Sequence, residues 1–494
     1  MQLIQLVQPP RSPVSPNTYP REDVIFRVVE VMRKVSSRII GFGRPPTGPP
    51  RSLTRLLEVE LPPSVPPIRR ILKNPRVMPY HRLIVLVVVA NVAVGWRAVA
   101  SGGWWAGQAT ALTSIETVAL VNVTLAVVVR QQWIINALFW LATRAPTSWP
   151  LPVRWALAKI YHLGGLHVGM AASGTTWYLV FVVSLMYDHL HHRGHVSVPN
   201  LVVSGALVTL FVVMSILALP PLRARAHNTF EITHRFCGWA ALALAWINTV
   251  LFVTTRHGDA FALLTTPTVW LLTVATVSVA LPWLLLRKVR VDTEQPSAHV
   301  AVVNLDGPTQ PLIGSTQMVS RRPLLEWHSF ANISAPEEAP GSHRMVVSRA
   351  GDWTAEFIDN PPTHLWVRGV PTAGMANVAR LFRKVLFVAT GSGIGPVLAH
   401  LLAGEVSSHL VWVTRNPRRT YGALVDEVLA AQPDAIIWDT DAYGKPDMLR
   451  LAYGAYSTFG AEAVVCVANK KVTWQVVHGL ELVGIPAYGP IWDA

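Results

Sequence analysis

Residues 384–415, KVLFVATGSGIGPVLAHLLAGEVSSHLVWVTR, decide how the second half of this chain folds. The stretch opens on an apolar run at 385–389, of strand length and bounded by turn residues. A turn with glycines at 391, 393 and 395 follows, then Pro396 and an apolar segment reaching Leu402. A second apolar run, 410–413, reads as another strand. Strand, glycine-rich turn, helix and strand make a βαβ unit, and such units build parallel sheets. The glycines let the backbone come close to a pyrophosphate, and the helix N-terminus offers unpaired N–H groups and a positive dipole end. Thr390, Gly391, Gly393, Gly395 and Pro396 are the candidate nucleotide-binding residues. A structural turn with no ligand is the competing reading.

Upstream, from Val291 onward, short β-like runs alternate with turn residues: AHVAVVNL (298–305), HRMVVSR (343–349) and HLWVRGV (364–370). They predict a small barrel or sheet. Before Val291 the chain changes character. The whole sequence is 51% hydrophobic and only 14% charged, with a mean hydropathy of +0.36. That balance predicts an integral membrane protein carrying a soluble part. Six apolar spans stand near 83–100, 109–129, 155–187, 201–219, 236–255 and 266–286. A helix needs about 20 residues to cross the hydrocarbon.

The net charge is +14. Arg and Lys crowd the arm before the first span, the loops after the second and fourth, and the segment after the sixth. The positive-inside rule then puts both termini and the soluble part in the cytoplasm, in a plasma or inner membrane. No zinc-finger or RNA-binding signature accompanies the charge, so a nucleic-acid partner is not expected, and no motif identifies a protein partner. Residues 1–77 are basic and proline-rich, with one helical pattern at 23–42 that reads as a membrane-surface helix or a short helix between linkers. The first ten residues lack the positive n-region of a signal peptide. The two cysteines, Cys237 and Cys466, both fall on the cytoplasmic side, where a structural disulfide is not expected.

TGSGIGP (390–396) resembles the pyridine-nucleotide loop of the ferredoxin–NADP reductase superfamily. EWHSFANI (326–333) resembles the flavin motif of membrane ferric reductases and NADPH oxidases, which reads His-Pro-Phe-Thr; here Ser329 and Ala331 fill the second and fourth places. AGDWT (350–354) and VRGVPTAG (367–374) are similar to that family's flavin-pyrophosphate segments. The ending GIPAYGPIWD looks closest to the fungal TmpA-type integral membrane flavoproteins. The resemblance runs from about residue 78 to the end. It implies an α-helical six-span membrane domain (78–290) after the arm (1–77). A cytoplasmic ferredoxin-reductase-like module would follow: a β-barrel FAD domain (291–383) and an α/β NAD(P)-binding domain (384–494).

By the same resemblance, His328, Ser329, Phe330, Ala331 and Thr354 hold FAD, and Trp492 shields the flavin or is ordinary packing. Cys466 stands where reductases keep Cys-Gly-Pro beside the nicotinamide, with Val467 and Ala468 replacing the flexible pair. WVTRNPRRTYG is similar to the segment that grips the 2′-phosphate of NADP. This makes Arg415, Arg418 and Arg419 the phosphate partners and NADPH the preferred donor over NADH. A solvated basic loop is the bland alternative.

In the resembled family the third and fifth spans each carry two histidines thirteen or fourteen residues apart. At 1.5 Å rise per residue this separates the ligands by ~20 Å, enough to stack two haems. Here His162 and His234 match the inner positions, while Thr175 or Thr176 and Ile247 or Asn248 occupy the outer ones. The expectation is a single inner haem b on His162 and His234, or no haem, and in either case no electron export across the membrane. The function expected is a membrane-bound oxidoreductase that passes electrons from NAD(P)H through FAD to that haem or to a small-molecule acceptor. The alternative is a flavin-binding membrane sensor with little turnover.

Overall fold

The computed structural model describes residues 48–105, 110–193, 196–257, 261–306, 312–334 and 342–491. The expected helix at 23–42 and Trp492 lie outside the described residues. Met1–Pro49 and Pro50–Ala494 are two units, and the elements that follow belong to the second.

The apolar half is helical. After α1 (Arg51–Glu58) come α2 (Pro79–Ala100), α3 (Leu112–Val128), α4 (Gln132–Thr143), α5 (Leu151–Leu157), α6 (Gly164–Leu190), α7 (Val198–Leu217), α8 (His227–His257) and α9 (Pro267–Leu284). Five helices are long and apolar enough to cross a membrane. They number six if α3 and α4, bent by 71° at their junction, count as one span. The outward faces are apolar: Val85, Leu86, Val89, Val92 and Trp96 of α2 are all exposed. Polar side chains turn inward instead. Ser204 donates to Asn248 Oδ1 at 2.7 Å, and Asn248 donates to Glu116 Oε1 at 3.2 Å, joining α7, α8 and α3. Asn248, one of the positions where an outer haem ligand is missing, is thus an interhelical hydrogen-bonding residue.

Close helix contact rests on a small-xxx-small pair in α6. A Cβ at Gly165 would stand 2.2 Å from the Tyr80 carbonyl oxygen, and one at Gly169 would stand 3.0 Å from Val87 Cβ. Only glycine lets α2 and α6 approach so far.

The segment after the second span was expected as a charged loop. It contains α4, which docks on the strand-containing half. Asn136 donates to the Pro371 carbonyl at 2.9 Å and accepts from Ala373 N at 2.8 Å, and Phe139 enters the core of the strand-containing half.

One residue after α9 the strand-containing half begins with β1 (Leu286–Ser297), followed by β2 (Val300–Leu305), β3 (Ser315–Ser320), β4 (His328–Ala331), β5 (Ile333–Ser334), β6 (His343–Ser348), β7 (His364–Arg368) and β8 (Thr372–Ala373). The strand order is β4-β3-β7-β1-β2-β6-β5, with β8 on β3 and every pairing antiparallel. The two ends of that order, β4 and β5, are one stretch of chain interrupted only by Asn332, so the sheet closes on itself. The long β1 bends, pairing β7 with its first half and β2 with its second. Closure removes the exposed edges an open sheet would leave.

The last part is β9 (Lys384–Thr390), α11 (Ile394–Ala403), β10 (Ser407–Thr414), β11 (Ile436–Asp439), α12 (Met448–Phe459), β12 (Ala463–Val467), α13 (Lys470–Leu482) and β13 (Ala487–Tyr488), with α10 (Asp352–Asp359) earlier in the barrel. Its five strands are all parallel, in the order β11-β10-β9-β12-β13. The order reverses at β9. The crevice beyond the carboxyl ends of β9 and β12 is therefore the topological switch point, where open α/β sheets bind ligands.

The boundary at 77 needs revision. Residues of the expected arm fold back on the α/β sheet: Leu53, Leu56 and Leu57 pack against its core, and Val65 N donates to the Leu482 carbonyl at 2.7 Å. A Cβ at Gly454 of α12 would sit 2.1 Å from the Leu56 carbonyl oxygen, so α1 lies directly on that glycine. A second link runs from α5. Arg154, 4% exposed, donates to Glu462 Oε2 at 2.7 Å and to the Leu381 carbonyl at 2.9 Å.

Candidate functional site: the switch-point crevice and the aromatic shelf of the barrel

The predicted nucleotide loop lies at the switch point. Gly391 has φ +51°, the left-handed region that favours glycine. Its carbonyl accepts from Trp412 Nε1 at 3.0 Å. Gly393 is pressed on the end of β12: a Cβ there would stand 2.0 Å from the Val467 carbonyl oxygen. Gly395 and Ile394 are buried, and Gly395 faces barrel strand β6 at Val346. The loop thus joins three elements, and Thr390, Gly391 and Ser392 remain at least partly exposed at its mouth. Pro396 sits in the first turn of α11, where its missing N–H costs no hydrogen bond.

The three arginines stand on the rim, all exposed. Arg415 donates to Asp441 at 2.9 Å and Arg418 to Asp426 at 2.8 Å. Arg419 makes no ion pair among the described residues, which leaves it the freest for an incoming phosphate.

Cys466 does not stand in the crevice. Its side chain is fully buried among Leu386, Val388 and Val476 on the α12–α13 face of the sheet. Burial pushes its thiol up to about 12, against a small opposing effect of a hydrogen bond with Thr473. A thiol so placed neither ionises near neutrality nor reaches a nicotinamide. The alternation of β12 side chains is the reason: the residue one place on, Val467, is the partly exposed one, and the catalytic assignment of Cys466 is withdrawn.

On the barrel, β4 presents His328, Ser329, Phe330 and Ala331, none of them buried. The His328 ring stacks on Trp353 at 4.0 Å, Phe330 lies parallel to Trp353 at 6.0 Å, and Phe357 follows at 5.1 Å. Burial lowers the His328 imidazole, with Glu326 opposing, so the ring is biased towards its neutral form. Trp353 opens α10, so this shelf stands beside a helix N-terminus. A Cβ at Gly351 meets nothing within 4 Å. Thr354, expected to hold the flavin, has its hydroxyl committed instead: it accepts from Ala350 N at 2.9 Å and Gly351 N at 3.0 Å. It caps the helix and thereby shapes the turn. Asp352 in the first turn would repel an anion there.

The two histidines expected to share a haem are not brought together. His162 lies in the 3₁₀ turn Ala158–Leu163, buried, with its ring on Tyr161 at 4.4 Å. His234 packs on Phe230 at 5.3 Å and on His167 at 6.5 Å. The helix that would have carried both His162 and His167 breaks into a 3₁₀ turn before Gly164, which rotates His167 rather than His162 towards α8. Among the described residues no group of three or more metal-ligating side chains occurs.

Residues 375–494 match the family model for the C-terminal domain of adenylate-forming reductase 03009. Over 421 residues the chain is 39% identical to adenylate-forming reductase 03009 and 38% identical to adenylate-forming reductase 06235, both of Coprinopsis cinerea. In each case the match covers 84% of this chain and 40% of the relative. The chain therefore spans about two fifths of the length of the curated relatives it matches. Among solved structures it is similar to a ferredoxin NADP+ reductase from Neisseria gonorrhoeae with bound FAD and NADP, at 13% identity and a TM-score of 0.35 over 42% of this chain and 98% of that one. It is also similar to the ferredoxin reductase in carbazole 1,9a-dioxygenase, at 15% identity and a TM-score of 0.34 over 41% of this chain and 68% of that one.

Trp353 was missed by sequence reasoning. It falls inside a motif singled out for Thr354, and its spacing to Phe357 on one helical face was the available signal.

Proposed function

We propose that this chain is a membrane-anchored flavin oxidoreductase that takes electrons from NADPH at the switch-point crevice. The observation that carries the reading is the pairing of an aromatic shelf with a glycine loop. His328, Phe330 and Trp353 line a barrel edge, and Gly391–Gly393 open the adjoining parallel sheet. A flavin supplies the chemistry that relays a hydride pair as single electrons. For it, Phe330 and Trp353 offer ring faces and β4 offers backbone groups. For the nicotinamide nucleotide, the loop backbone takes the pyrophosphate and Arg419 the 2′-phosphate. The two Coprinopsis cinerea relatives, both named as reductases, support the class. The five long apolar helices support membrane anchorage with the soluble module on the arginine-rich side.

The test uses the purified full chain. A bound flavin band that NADPH bleaches anaerobically is the expected result. A bound flavin that NADPH leaves oxidised would favour the sensor reading, and absence of flavin after reconstitution would remove both.

A second reading concerns haem. His167 and His234 stand 6.5 Å apart between ring centroids, and His167 Nδ1 bonds the Ala126 carbonyl at 2.8 Å, which leaves Nε2 as the ligating nitrogen. Two imidazoles on one metal at ~2.0–2.1 Å per bond place their centroids about 6 Å apart. If the chain takes up haem, His167→Ala and His234→Ala should each abolish the Soret band and His162→Ala should keep it. Loss of the band in both His162→Ala and His234→Ala, with His167→Ala keeping it, would restore the pairing of His162 with His234.

A further inference from the structure

Where the helical half meets the α/β sheet there is a cavity of about 80 Å³, several times the space one water needs. Its walls include Lys73, Lys159, His162, His478 and Glu481. Lys159 Nζ is 2.6 Å and Lys73 Nζ 3.8 Å from the same Glu481 oxygen. Lys159 also donates to the Ala487 carbonyl at 3.2 Å, and Lys73 lies 3.5 Å over the Trp155 ring. Two ammonium groups therefore share one carboxylate, and one positive charge has no carboxylate of its own among these partly buried side chains. His162 adds a second imbalance. It is 4% exposed, and neither ring nitrogen has a hydrogen-bond partner. A buried imidazole without partners is unfavourable unless something fills its valence.

We propose that this cavity binds a phosphate group, held by the ammonium groups of Lys73 and Lys159 and by a ring N–H of His162. The phosphate supplies the missing negative charge and an acceptor for the unpartnered imidazole in one step. Burial, followed by Lys159 and Arg82, pulls the Lys73 ammonium down to about 8 against the upward effect of Glu481, as expected for a site short of negative charge. The phosphate has two possible sources. The cavity opens beside the start of the first apolar helix, where an anionic phospholipid headgroup would lie, and it also faces the soluble module, where free phosphate compounds arrive.

Acylation of Lys73 reads the site directly. The full chain is treated at pH 8 with a trace of acetic anhydride, and Lys73 is compared with the exposed Lys445 by peptide mass spectrometry. One arm titrates inorganic phosphate in phosphate-free detergent, with chloride at matched ionic strength as control. The other compares nanodiscs of phosphatidylcholine with and without phosphatidic acid. If the bound anion raises the Lys73 ammonium by one unit, its reactivity should fall about five-fold, saturably, while Lys445 is unchanged. A fall with inorganic phosphate assigns a soluble source, and a fall with phosphatidic acid alone assigns the lipid. His162→Gln and His162→Ala, checked for native circular dichroism, should need several-fold more phosphate for the same protection. An unchanged Lys73 to Lys445 ratio in both arms, equal protection by chloride, or full protection in both His162 variants overturns the proposal.

Discussion

Gly393 lies against the carbonyl of Val467 so closely that a single Cβ would stand 2.0 Å from its oxygen. The backbone of Gly393 itself is ordinary, with φ −58°. The glycine is therefore needed for space and not for conformation. It lets the nucleotide loop of β9 touch the end of β12 and so closes the floor of the switch-point crevice. Gly393→Ala should destabilise the α/β part by ~1–3 kcal/mol, the range of forced overpacking. The melting temperature should fall and nucleotide binding should weaken with it. An alanine variant that melts with the wild type would show that the loop has room to retreat.

Arg154 and Glu462 bridge the helical half and the parallel sheet at 2.7 Å, with Arg154 4% exposed and Glu462 partly open to solvent. Arg154→Met should cost ~3–5 kcal/mol, the usual effect of breaking a buried pair, nearer the lower bound because water can reach Glu462. Arg154→Met combined with Glu462→Gln should recover part of the loss. Hydrogen exchange at residues 461–467 reports it, and additive single effects would mean the two residues are not coupled.

The same pair sets an acid limit. Burial raises the Glu462 carboxyl, but hydrogen bonds from Arg154 and Arg383 N, with both guanidinium charges, bring it below its usual value on balance. The unfolded chain then binds more protons than the folded one over that interval. The stability contributed is present above the ordinary carboxylate range, near 4.3, and is lost as pH falls through the lower folded value. Glu462→Gln should flatten the stability profile in that acid window and leave it parallel to wild type above it.

The rim arginines should act unequally. Arg419→Ala is expected to raise KM for NADPH about ten-fold, about 1.4 kcal/mol, with little change for NADH. Arg415→Ala should do less, because Asp441 already engages that guanidinium. Equal effects on both nucleotides would make this loop a merely solvated basic surface.

Cys466 should be silent in catalysis. Cys466→Ala is expected to change kcat/KM by less than about two-fold and to lower stability by ~1 kcal/mol, as a small cavity forms in the sheet's core. A maleimide should leave Cys466 unlabelled until the protein is unfolded. Rapid labelling of the native chain would contradict its burial.

Local rules were enough for the periodic parts. The short β-like runs at 298–305, 343–349 and 364–370 became β2, β6 and β7, and residues 384–415 became β9, α11 and β10, because an apolar run bounded by turn residues and a glycine turn are properties of neighbouring residues. Long apolar runs likewise announce helices wherever they end up. Contacts between distant segments are not written that way. Nothing near Asn136 says that it will meet Pro371, and nothing near Leu56 says that its carbonyl will rest on Gly454. The break before Gly164 turned His167 towards His234, and the register of β12 turned Cys466 into the core. Each is a choice of which face of an element meets which neighbour. A one-residue shift of strand phase, or a change from α to 3₁₀ winding, reverses that choice at almost no cost to the local pattern.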